Sequence, residues 1–184
     1  MLIFIFGQSI AYGALGISGS SHDLGSITGG KVCIVCHTPH GAMTDGPLWS
    51  HETTTESFTV YDSPTISTTP GQPGNISIMC LSCHDGTIAV DSFGGATGST
   101  YIAGAAKVGT NLADDHPIGI QWDHIDPGPC AGCHAGGELN TDVKFFNGYV
   151  ECASCHDPHN KTVDYKMLRK TNTGSALCLY CHGK

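Results

Sequence analysis

Cys152-Ala153-Ser154-Cys155-His156-Asp157-Pro158-His159 is the stretch on which the reading of this chain turns. Two thiols three positions apart can add to the two vinyl groups of one haem, and the histidine that follows at once falls where it can ligate the iron. The same Cys-x-x-Cys-His unit recurs at Cys33/Cys36/His37, Cys80/Cys83/His84, Cys130/Cys133/His134 and Cys178/Cys181/His182, and the five units use all ten cysteines. Paired cysteines also build zinc ribbons, but zinc does not require a histidine after each pair. With 11 histidines in 184 residues, a chance histidine after all five pairs has a probability on the order of 10⁻⁶. A disulfide framework has no use for that histidine either. The motifs therefore imply five covalently bound haem c groups.

Five haems in 184 residues leave too little chain per haem for a separate apolar core. Charged residues are 13% of the chain and 25 residues are glycine, with Ser and Thr filling the stretches between motifs, so regular structure should be sparse. The expected fold class is mostly irregular coil with short helices at the haem motifs and minimal β structure, a multihaem cytochrome c fold organised around stacked haems. Its stability should depend on the covalent haem, as small metal-dependent domains depend on their metal.

Motif starts at Cys33, Cys80, Cys130, Cys152 and Cys178 lie 47, 50, 22 and 26 residues apart, with no linker between them rich enough in Pro, Gly or charge to divide the chain. Residues 18–184 read as a single pentahaem domain. Residues 1–17 begin with the apolar run Met1 to Phe6 and fade into small residues, as the remnant of a secretory signal peptide does. The run is too short for a membrane span. Haem attachment to this motif takes place outside the cytoplasm, so the expected location is secreted, extracellular or at the cell surface, after export through the periplasm. A formal charge of −8 argues against a nucleic-acid partner, which asks for a basic stripe. Lys166, Arg169 and Lys170 form the one basic cluster, read as a solvated turn in preference to a set of propionate counter-ions.

Local signals place short helices on the motifs: Asn75 capping Ile76 to Cys83 with Gly86 as the stop, and Thr173 capping Ser175 to Cys181 with Gly183 beyond. Each should run two turns or fewer. Asn147-Gly148 is the strongest hairpin signal and should join Val143–Phe146 to Tyr149–Glu151.

The sixth ligand of each iron separates electron carriers from enzymes and gas binders. Apart from the motif residues His37, His84, His134, His156 and His182, the chain has His22, His40, His51, His116, His124 and His159. Six candidates for five irons come close to a complete bis-histidine set. Met43 and Met167 are formal alternatives, although methionine more often packs against the ring. His40 and His159 each lie three residues beyond a motif histidine, on the same side of that haem, so each should serve another haem. His116 is held in the extended Asp115-His116-Pro117. His124 precedes Cys130 closely enough to serve the third haem or a neighbour, and His22 most simply serves the first. His51 is the spare. Trp49, Tyr61, Phe93, Phe145 and Phe146 read as packing residues, and Asp114 with Asp115 as a solvated acidic pair.

Longer segments carry a resemblance. Ser20-Ser21-His22-Asp23, Cys36-His37-Thr38-Pro39-His40-Gly41, Pro47-Leu48-Trp49-Ser50-His51, Cys80 to Ile88, Asp115-His116-Pro117-Ile118 and Cys152 to His159 resemble the extracellular multihaem cytochromes of the OmcE and OmcS type, from about Ser20 onward. The relatives of OmcE look like four-haem proteins, and the third motif, with His124 nearby, is the departure. The resemblance implies a head-to-tail homopolymer with one continuous haem chain, in which the residue matching His40 ligates a haem of the adjacent subunit. It also implies redox partners or extracellular electron acceptors, and electron transfer without enzymatic turnover. The competing readings are a monomeric periplasmic electron shuttle and, further off, a multihaem reductase.

Overall fold

The computed structural model describes residues 16–42, 46–66, 68–122, 143–160 and 166–182. The expected leader up to residue 15, Met43, His124 and the third motif Cys130/Cys133/His134 lie outside the described residues.

Most of the described chain is irregular, with four helices, α1 (Gly25–Thr28), α2 (Asn75–His84), α3 (Cys152–Cys155) and α4 (Cys178–Cys181), and two-residue strands β1 (Ile120–Gln121) and β2 (Tyr149–Val150). This is the architecture of a small multihaem cytochrome. Three of the four helices carry haem motifs.

At ten residues α2 is longer than the two turns its sequence suggested, and its N-cap is Gly74 in place of Asn75. The reason is tertiary, because the Gly74 N–H is met by the carboxylate of Glu151 at 3.1 and 3.2 Å. The helix stops where the sequence placed the stop. Gly86 takes φ +76°, its N–H donates to the Cys83 carbonyl at 3.0 Å, and the Lys107 side chain lies where a Cβ would stand. Thr173 opens a separate 3₁₀ turn (Thr173–Ser175), and α4 begins afresh at Cys178.

Asn147 and Gly148 both take positive φ, 52° and 83°, the requirement of a two-residue hairpin turn. The turn closes Phe146 on Tyr149 with hydrogen bonds of 3.0 and 2.9 Å. Beyond it the expected hairpin is not built. β2 pairs antiparallel with β1, Ile120 opposite Val150 and Gln121 opposite Tyr149, while Phe145 stacks on Trp122 with ring centres 4.9 Å apart. That stacking draws the arm before the turn toward the end of β1, so the second arm ladders with β1.

The apolar cluster is small. Phe58, Leu81 and Leu112 are buried together, with Ile78 and Ile118 against them. The Gln72 amide accepts from the Phe58 N–H and donates to its carbonyl, both at 2.9 Å, and so imitates one strand neighbour. Ser82 of α2 accepts the Thr54 N–H at 3.0 Å. Side-chain splices of this kind replace the ladders that so short a core cannot support. Among the described residues no helix is long and apolar enough to cross a membrane.

Candidate haem centres

One local device shapes three of the motifs. The N–H of the motif histidine closes back on the carbonyl of the first cysteine, at 2.9 Å for His37, 3.0 Å for His156 and 2.9 Å for His182. A single α-turn thus sets both thiols on one face. At α3 and α4 the histidine is the extended C-cap, with φ/ψ of −108°/144° and −101°/115°, so its ring turns away from the helix axis.

The motif rings are oriented by a second device. His37 Nδ1 lies 3.0 Å from the Pro47 carbonyl, His84 Nδ1 2.8 Å from that of Ala106, and His156 Nδ1 2.8 Å from that of Lys166. A carbonyl can only accept, so Nδ1 carries the proton and Nε2 keeps its lone pair for a metal. His116 is set the same way, its Nδ1 3.0 Å from the Pro117 carbonyl.

Motif histidines then meet histidines from distant parts of the chain. His37 faces His159 with ring centres 6.2 Å apart and 17° between planes, His84 faces His22 at 5.9 Å, and His182 faces His116 at 6.1 Å. An imidazole binds a metal at about 2 Å from its nitrogen, and the ring centre lies about 1 Å further out, so two rings on opposite faces of one iron stand roughly 6 Å apart. All three pairs fit that separation. Among the described residues no group of three or more His, Cys, Asp or Glu gathers as a metal cluster, whereas a closed zinc site needs four ligands together.

The pairs revise one expectation. His22, expected at the first motif, lies beside His84 of the second. Gly16, upstream of His22, donates its N–H to the His159 carbonyl at 2.9 Å, and His22 Nδ1 sits 2.8 Å from Met167 Sδ. Both contacts tether the N-terminal segment to the fourth-motif region. Met167 is buried in that contact, so its sulfur already has a partner. His159 and His116 lie against motifs remote in sequence. His51 is buried, with Nδ1 2.7 Å from the Glu52 carbonyl and Nε2 2.9 Å from that of Ala89, so neither nitrogen is free. The rings of His40 and His156 are exposed and meet no other aromatic ring among the described residues.

Thiols of successive described motifs approach one another. Burial first, then Cys36 and Asp85, push the Cys83 thiol up to about 12. Burial, then Cys155, push Cys181 up to about 11. Cys155 is raised by burial, then by Cys152 and Cys178. Cys80 and Cys152 share a hydrogen bond that raises the first and lowers the second. By this electrostatic coupling the first, second, fourth and fifth motifs are neighbours in that order.

Two features escaped the sequence reading. The likeness of Cys33–His40 to Cys152–His159 extends further: Thr38 N–H bonds the Leu48 carbonyl as Asp157 N–H bonds that of Met167, both at 2.8 Å, and Ser50 and Arg169 return to Cys36 and Cys155 at 3.0 and 2.8 Å. Leu48 and Met167 share positive φ, 55° and 56°. The signal was present as an apolar pair, Leu48-Trp49 and Met167-Leu168, at equal spacing from the motif. Arg169, read as part of a solvated cluster, is instead a clamp, bonded to the Ala153 carbonyl at 2.6 Å and to Asp157 at 3.0 Å.

Residues 146–184 match the family model of the doubled CXXCH motif, which covers the fourth and fifth motifs. No curated protein matches the chain. The paired motif is that of a multihaem c-type cytochrome, with covalently bound haem c and a role in electron transfer.

Proposed function

We propose that the chain is a pentahaem, exported electron carrier that polymerises head to tail into an extracellular conductive filament and performs no enzymatic turnover. Cys33 with Cys36, Cys80 with Cys83, Cys130 with Cys133, Cys152 with Cys155 and Cys178 with Cys181 would each hold one haem. His37, His84, His134, His156 and His182 supply the near-side ligands. On the far side His159 serves the first motif, His22 the second and His116 the fifth. When bound, haem c supplies a one-electron couple at each iron. The protein's part is to fix one imidazole of each pair, His37, His84 and His116, through a carbonyl on Nδ1, so that little rearrangement accompanies electron transfer.

The observation that carries the polymer is what the pairing leaves over. His40 and His156, exposed rings that meet no other aromatic ring among the described residues, occupy the two repeated segments whose other combination, His37 with His159, does meet. Repeating that contact between copies would bring His40 of one chain to His156 of the next. Such a contact is heterologous and open, the type that builds filaments. The family resemblance supports a role for His40 at a haem of the adjacent subunit, with His124 left for the third motif.

Replacing His40 by Ala should leave the haem count unchanged and abolish filaments in negative-stain images. Filaments that persist with native spectra overturn the proposal. A wild-type holoprotein that remains monomeric on sizing favours the periplasmic shuttle. Carbon monoxide binding to the reduced filament would point to an open iron and revive the reductase reading.

A further inference from the structure

Glu151 is a buried carboxylate, 4% exposed, at the junction of two haem-bearing helices. It accepts the Gly74 N–H at the start of α2 and the Ser77 hydroxyl one turn later. On its own side the Ser154 N–H donates to the Glu151 backbone carbonyl at 2.8 Å while the Glu151 N–H donates to Ser154 Oγ at 2.9 Å, which locks Glu151 to the start of α3. Ser77 completes the link by accepting the Cys152 N–H at 2.9 Å. Ser77 and Ser154 are fully buried.

The groups that meet the carboxylate are donors, so it binds as an acceptor-only anion. The partners described for the Glu151 carboxylate are neutral N–H and O–H groups. A buried charge held only by neutral donors is costly, and one kept at a cofactor boundary acts on its surroundings through a low local dielectric. The approach is close, because a Cβ on Gly74 would stand 2.5 Å from Glu151 Oε1. Across the junction the Cys80 and Cys152 thiols share a hydrogen bond. The attachment points of the second and fourth motifs therefore lie beside this anion and beside each other.

We infer that Glu151 is a charged positioning residue for the haems of the second and fourth motifs, setting their relative placement and holding both at lower potential than their ligands alone would give. A fixed negative charge favours the ferric form, which carries one more positive charge than the ferrous. The inference rests on haem at both motifs, which a haemochrome count of the wild-type protein reads separately.

The test is potentiometric titration of the loaded holoprotein. Glu151→Gln should keep the full haem count and raise two potentials, each by roughly tenfold in the one-electron equilibrium constant, or about 59 mV, with the others unmoved. Glu151→Asp keeps the charge with a shorter reach, so potentials stay near wild type while the melting temperature falls. If Glu151→Gln does not load, Ser77→Ala carries the test. It removes a hydroxyl that offsets the charge, so the same two potentials should move down. Unchanged potentials in a fully loaded Glu151→Gln or Ser77→Ala protein, a uniform shift of every haem, or a wild-type count lacking either haem overturns the inference.

Discussion

Cys33–Ser50 and Cys152–Arg169 share one hydrogen-bond frame and differ in what surrounds it. In the C-terminal copy the strained residue, Met167, is buried against His22, and the segment ends in an arginine clamped to Asp157. In the N-terminal copy Leu48 is 55% exposed, and the clamp positions are Thr38 and Ser50. His159 of the C-terminal copy meets a ring within the chain, whereas His40 meets none among the described residues. The frame is thus a reusable haem-holding unit, and the side chains hung on it decide whether it faces inward or outward.

Removing a motif breaks the comparison most severely. Cys152→Ala/Cys155→Ala should lose cooperative thermal unfolding, because α3 is locked to α2 through Glu151 and Ser77. Cys33→Ala/Cys36→Ala, at a turn whose first cysteine is exposed and which, among the described residues, no buried carboxylate ties to α2, should lose one haem and still melt cooperatively. Haem counts with circular-dichroism melts decide between them, and equal behaviour would remove the distinction.

A second contrast concerns the positive-φ pair. Met167→Gly relieves strain but empties a buried site and should cost about 2–4 kcal/mol. Leu48→Gly relieves the same strain without that loss and should stabilise by up to about 1 kcal/mol. Opposite signs in denaturant titrations sharpen the inward and outward assignments; a shared sign contradicts them.

The smallest effect belongs to the clamp. Arg169→Met leaves Asp157 without its guanidinium and the Ala153 carbonyl without its donor, and should cost about 1–3 kcal/mol. Ser50→Ala at the matching position should fall within about 0.5 kcal/mol. A clamp variant as stable as the Ser50 variant would show that the ion pair contributes nothing.

What the sequence made legible was local. The five motifs, the sparse secondary structure, the stop at Gly86 and the turn at Asn147-Gly148 each rest on neighbouring residues. The approach of His22 to His84 had no such signal, since it is made by backbone and sulfur contacts with the fourth-motif region. Glu151 was read as the end of a strand because its donors on α2 are distant in sequence, although Ser154 three positions on is a capping partner that reading could have found. His51 stood as the spare, and its ring nitrogens are taken by carbonyls that no spacing rule points to. The third motif and His124 lie outside the described residues.

The contact of His37 with His159 also sets a schedule. A chain made from its N-terminus presents the first motif early, while the histidine that faces it arrives only after most of the remaining residues. Until then any cofactor attached at Cys33 and Cys36 has one face uncovered. The first motif in the chain is thus closed only when a histidine of the fourth-motif segment is in place, a long-range contact of the kind that forms late.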